Sequence, residues 1–186
     1  MDKVTLQRIA TQFRLLGWGI FWTQITLAVV AFGVLMFNNL GRALTRDRIV
    51  GLGPGLSMTS LALVALAYTT YHAFRYVQLG RRLDGDPLRR PSRAETRNFV
   101  VRGIWVNAAG LLIAVLGYQA LAGSLTFQAS MQQPGFTGLN NQMGNNAITS
   151  LEMFSMLSNT QVLTGHVLSL FVSLWLLRIL SQGANR

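Results

Sequence analysis

Residues 103–125 read GIWVNAAGLLIAVLGYQALAGSL, a run with no charged side chain and with length enough to cross a hydrocarbon core of about 30 Å as a helix. Within it Gly103, Asn107, Gly110, Ala114, Gly117 and Leu121 step by four and three, so all six share one helical face. Small residues on one face let a second helix approach closely, which is how membrane helices gain packing energy without a hydrophobic driving force between them. The run therefore predicts a transmembrane helix with a packed seam, and Asn107 on that seam needs a partner inside a bundle.

Three further segments have the same character: 17–37, 56–79 and 160–180. None alternates as a strand does, and backbone inside lipid must satisfy its own hydrogen bonds, so these sequences predict helices. The expectation is an all-α fold: one polytopic membrane domain spanning residues 1–186, a four-helix bundle with spans at 17–37, 56–79, 104–125 and 160–180. Composition agrees, with 51% hydrophobic and 12% charged residues and a mean hydropathy of +0.36. The chain contains no cysteine, which excludes disulfides, thiolate metal centres and cysteine nucleophiles. No Walker loop, HExxH or triad spacing is present, so an enzyme is not expected.

The net charge of +10 comes from residues that flank the apolar runs. They do not form a soluble basic patch interleaved with aromatics, which argues against nucleic acid as a partner. With four spans, Lys3, Arg8, Arg14, the arginines from Arg75 to Arg102, Arg178 and Arg186 fall on one side, against Arg42, Arg46 and Arg48 on the other. The positive-inside rule then places both termini in the cytoplasm, together with a basic loop at 80–103. Arg81, Arg82, Arg89, Arg90, Arg93 and Arg97 in that loop suit anionic lipid headgroups or a partner protein. The outer loop, 126–159, is rich in Asn, Gln and Gly. Thr149 and Glu152 have capping-box spacing there and predict a short interfacial helix before the fourth span. The first apolar stretch outlasts a secretory signal and reads as an uncleaved anchor with no transit region before it.

Polar residues inside spans are the candidates for function. Gln24, Asn107, Gln119 and His166 are the intramembrane set, with Gln24 and Asn107 at depths where they can meet. Gly165, Ser169 and Ser173 repeat the small-residue device in the fourth span, and Gly17, Gln24, Ala28 and Ala31 do so in the first. Tyr68, His72 and Arg75 share a face near the cytoplasmic interface, either as an aromatic belt with a snorkelling arginine or as a polar vestibule. His166 is the one candidate metal ligand, with Glu152, Met153 and Met156 as possible companions.

Two stretches carry a resemblance to a known family: Gly103 to Gly110 with Leu116 to Gly123, and Leu163 to Leu177 with its Thr-Gly-His166. They look like the last two spans of the permease-in-chloroplasts family, also described as a small Tic translocon subunit of the chloroplast inner envelope, with cyanobacterial relatives in a domain-of-unknown-function group. The resemblance extends over roughly residues 12–181. Asn107, Gln119 and His166 match the family's polar intramembrane positions. Membership implies an inner-envelope location, or a cyanobacterial plasma or thylakoid membrane for a copy without a transit peptide. It also implies either iron transport or protein import as the activity. The expectations are thus a metal-cation permease or its accessory with no bound cofactor beyond a transported ion, or a non-transporting scaffold. Four helices are few for a complete path, so a homo-oligomer or other membrane proteins are expected as partners.

Overall fold

The computed structural model describes residues 3–45, 52–131 and 150–182. Four long helices make up almost all of it: α1 (Lys3–Thr45), α2 (Leu52–Asp84), α3 (Arg93–Met131) and α4 (Ser150–Gln182). At 1.5 Å per residue the shortest of them is about 50 Å long, well beyond a hydrocarbon core of about 30 Å. Each expected span lies inside one helix, and the helices continue past it because their packing continues.

The four form a cyclic antiparallel bundle in which α2 packs on α1 and α3, and α4 packs on α1 and α3. The α2–α4 diagonal is also in contact, whereas α1 and α3 hardly meet. Leu35, Leu56 and Leu121 pack together at one end. At the other end lie Ile9, Phe13, Tyr76, Leu83, Val100, Leu176 and Leu180.

The bundle is apolar outside and polar inside. Trp22, Phe32, Leu61, Val64, Leu112 and Phe171 point outward, while Gln24, Thr59, Asn107, Ser158, Asn159 and His166 are buried. In water this pattern would be unstable; in lipid it leaves apolar side chains against acyl chains and turns the polar groups toward one another. The protein is accordingly a helical membrane protein.

Among the described residues, α1, α3 and α4 are long and apolar enough to cross a membrane, and α2 falls short of that threshold. Thr59, Ser60, Thr69, Thr70, His72 and Gln78 dilute its hydropathy. The short interfacial helix expected before the fourth span does not exist as a separate element, since α4 runs unbroken from Ser150. Thr149 and the middle of the outer loop lie outside the described residues. Glu152 is buried in the first turn of α4, and the Thr149 half of its capping box falls outside the described residues.

The basic loop is shorter than 80–103. Helix α2 persists to Asp84 and ends at Gly85, whose amide donates to Arg82 O. A 3-10 turn, Pro87–Arg89, follows, held by the Leu88 amide on Asp86 Oδ1 at 3.0 Å. Ser92 then starts α3, accepting from the Glu95 amide at 3.1 Å. Ser92 and Glu95 have the capping-box spacing read at Thr149 and Glu152, and here the serine half of that box is realised.

Candidate functional site

Midway along the bundle, all four helices contribute to one polar layer. From α1, Gln24 Nε2 donates to Thr69 Oγ1 of α2 at 3.0 Å and reaches Gly165 O of α4 at 3.5 Å. The next residue, His166, places Nε2 3.1 Å from Ala62 O of α2 and Nδ1 3.3 Å from Asn107 Oδ1 of α3. Asn107 Nδ2 donates back to Gly103 O at 3.0 Å. Gln24 and Asn107 thus approach opposite sides of the same turn of α4 and do not hydrogen-bond each other.

The glycines make this layer possible. The His166 ring lies flat against Gly110, where an added Cβ would overlap it. A Cβ at Gly165 would come within 2.8 Å of Leu66 Cδ1, and one at Gly117 within 3.0 Å of Asn159 Nδ2. One at Gly103 would meet His72 Nδ1 at 3.0 Å. The whole face from Gly103 to Leu121 is buried as its spacing implies.

The chemistry of the layer follows from which atoms can donate. A backbone carbonyl only accepts, so Ala62 O fixes the His166 proton on Nε2, and Gly103 O fixes the amide hydrogens of Asn107 on its own side. In the neutral ring, Nδ1 and Asn107 Oδ1 are then two acceptors facing each other at 3.3 Å. Gln24 Oε1 and Asn159 Oδ1 are further buried acceptors that receive no hydrogen bond from any described residue. Unspent buried acceptors are unusual and mark positions that suit a proton or a cation.

The polar stripe continues along α4 in both directions. Outward, Asn159 Nδ2 donates to Thr59 Oγ1 at 2.6 Å, Ser158 Oγ donates to Ala31 O at 3.0 Å, and Asn38 pairs with Ser155. Toward the basic end, Ser169 is buried and Ser173 Oγ meets Tyr76 OH at 3.0 Å. Stepping back from Gly165, the residues Val162, Asn159 and Ser155 keep the same face. A span that begins at Thr160 leaves Ser155, Ser158 and Asn159 in the loop, because polar residues ordinarily mean solvent.

Other candidates are placed differently. Gln119 faces outward, away from Gln24, Asn107 and His166, at nearly the level of Leu121 where α2 begins. Periodicity accounts for this, since Gln119 is two residues from Gly117 and out of phase with the seam. Glu152 stands fourteen residues along α4 from His166, about 21 Å. Met153 is exposed, and Met156 packs beside Leu35, Leu56 and Leu121. The mixed site of imidazole, carboxylate and thioether is therefore not assembled. Among the described residues no three His, Asp or Glu side chains come together, so a cation in the central layer would meet neutral donors.

His72 is buried. Its ring stacks on Phe99 at 4.0 Å and meets Tyr76 edge-on, while Tyr68 is partly exposed beside it. Arg75 turns to the Tyr71 hydroxyl at 3.1 Å and covers the Phe99 ring. Of the loop arginines, Arg81, Arg82, Arg90, Arg93 and Arg97 are exposed; the Arg89 side chain lies outside the described ones. Arg90 donates to Gly85 O and Arg93 to Leu180 O, at 3.2 and 2.7 Å.

Residues 3–181 match the family described as Protein of unknown function (DUF3611). The chain is also 30% identical, over 195 aligned residues, to Protein TIC 21, chloroplastic, of Arabidopsis thaliana. That alignment takes in 96% of this chain and 62% of the relative, so the chain spans less than two thirds of the relative's length. No solved structure matches it. With nearly its whole length inside the family match and the glycine, asparagine and histidine seams in place, the chain belongs to DUF3611, a TIC 21-like family of helical membrane proteins.

Proposed function

We propose that the chain is a four-span permease for a cation, or the membrane-embedded accessory of one, with iron as the first cargo to test. The observation that carries this reading is the facing pair of acceptors, His166 Nδ1 and Asn107 Oδ1, in a layer to which every helix contributes. A positive charge between them relieves the repulsion of two lone pairs, and Gln24 Oε1 and Asn159 Oδ1 extend the set of acceptors along the axis.

The fourth span in this reading is α2. Contacts of Gly17 with Val77 and of Leu35 with Leu56 hold it beside α1 over about 30 Å, so it shares the depth of helices apolar enough to cross. Thr59, Thr69, Thr70 and His72 of α2 turn inward. In this reading the end that holds residues 85–92 and the excess of Lys and Arg faces the cytoplasm with both termini, and the membrane is a cyanobacterial plasma or thylakoid membrane. The arginines there lie against anionic headgroups, and self-association completes the path.

The test is flux of iron and of manganese into liposomes holding the purified chain, compared with His166→Ala and Asn107→Ala. Flux that disappears in both variants supports the permease. Absence of flux from protein that unfolds cooperatively would turn the reading to a scaffold or translocon-type subunit. The observation favouring that second reading is how closely packed the glycine seams are. A partner retained after mild extraction would then be the expected result.

A further inference from the structure

Two of the recesses at the arginine-rich end have more than one arginine in their lining, and they differ in kind. One, about 70 Å³ between α2 and α3, is lined by Arg75, Arg82, Gln78 and Phe99 and also by Glu95. The other lies between the start of α3 and the end of α4. It measures about 400 Å³ and is lined by Arg93, Arg97 and Arg178 together with Leu174, Leu177 and Leu180, with no acidic residue in its lining.

The depth of this second cleft matters as much as its charge. Ser173 bonds Tyr76, and Tyr76 sits against Gly103, the residue at which the uncharged run of α3 begins. Leu174 and Leu177 are therefore at the edge of the hydrocarbon. Arg97 is six residues before Gly103 and Arg93 ten, which puts them about 9 and 15 Å farther out, at headgroup level. Arg178 lies over the exposed Trp175 ring at 5.8 Å, an arrangement typical of the membrane interface. Arg93 Nη2 donates to Leu180 O, so it ties the two walls of the cleft together and satisfies the end of α4.

We propose that this cleft binds one anionic phospholipid, its phosphodiester held by Arg97 and Arg178 and its acyl chains lying on Leu174 and Leu177. A guanidinium suits a phosphate by forming two parallel hydrogen bonds. A zwitterionic headgroup is disfavoured because its ammonium would enter a cleft with no carboxylate. This rests on the lipid contact proposed above for the basic end and narrows it from the loop to one cleft.

Native mass spectrometry of the full chain in detergent tests it, with phosphatidylglycerol, phosphatidylcholine and inorganic phosphate as separate probes. Arg97→Gln/Arg178→Gln is compared with Arg82→Gln/Arg90→Gln, which removes the same charge outside the cleft, and thermal unfolding checks that both variants fold. The expected result is one retained phosphatidylglycerol, bound roughly thirtyfold more weakly in the cleft variant, from the loss of two near-surface arginine contacts, and unchanged in the loop variant. Equal weakening in both variants returns the contact to diffuse charge and overturns the cleft. Retention of phosphatidylcholine as strongly as phosphatidylglycerol, or binding of inorganic phosphate with equal affinity, overturns it too.

Discussion

At the basic end of the bundle the helices meet through Ile9, Phe13, Val100, Leu176 and Leu180; at its middle they meet through Gln24, Thr69, Asn107 and His166. The two regions are held by different forces. Ile9, Leu83 and Leu180 lie beyond the level of Gly103, where water is available, so burying apolar surface is favourable there. In the middle, lipid is as apolar as leucine, and what favours association is close backbone approach over glycine together with hydrogen bonds between helices. A soluble-type core thus sits below a membrane-type core along the same four helices, and each can be challenged separately.

The largest effect is expected at the basic end. Phe13 is fully buried and meets Tyr76 edge-on with ring centroids 6.0 Å apart, so Phe13→Ala should destabilise by about 3–5 kcal/mol. Reversible unfolding in mixed micelles measures it, and a loss no greater than that of Gln24→Ala would erase the distinction between the two regions. Next comes Gly110→Ala, whose methyl group must displace the His166 ring. Overpacking of this kind should cost about 1–3 kcal/mol and abolish any flux that depends on His166.

A smaller effect belongs to the Asn159–Thr59 hydrogen bond, at 2.6 Å between α4 and α2. A double-mutant cycle with Asn159→Ala and Thr59→Ala should give a coupling of about 0.6–1.7 kcal/mol, and a coupling near zero would remove hydrogen bonding from the account of the middle region. The smallest effect sharpens the glycine argument. Nothing lies within 4 Å of a Cβ at Gly19 or Gly33, so alanine there should be neutral or stabilise by up to about 1 kcal/mol. Destabilisation at either position, read by the same unfolding assay, would point to a contact made by another copy or another protein.

The seam from Gly103 to Leu121 was legible because an uncharged run fixes the helix and the three- and four-residue steps fix its face. His166 was legible as a buried histidine for the same reason. Gln119 was misplaced because a polar residue within a span was grouped by depth, and face decided otherwise. Ser155, Ser158 and Asn159 were read as loop because polar residues ordinarily mean solvent, whereas here the polar side of α4 is its interior. Neither hydropathy nor spacing reveals that His72 is enclosed by Phe99 and Tyr76, since those contacts join separate helices.

Seen end-on, the bundle is a rhombus: α1 and α3 at the far corners, α2 and α4 at the near ones. Three hydrogen bonds cross the short diagonal, from Asn159 to Thr59, from His166 to Ala62 O, and between Tyr76 and Ser173. In the proposed permease they would act as a latch along the axis, since a water-wide opening there would break all three. At the usual worth of such bonds in a bilayer, the latch amounts to roughly 2–5 kcal/mol. One positive charge falling through a potential of 100 mV releases about 2.3 kcal/mol, so the latch and the membrane voltage are matched in scale.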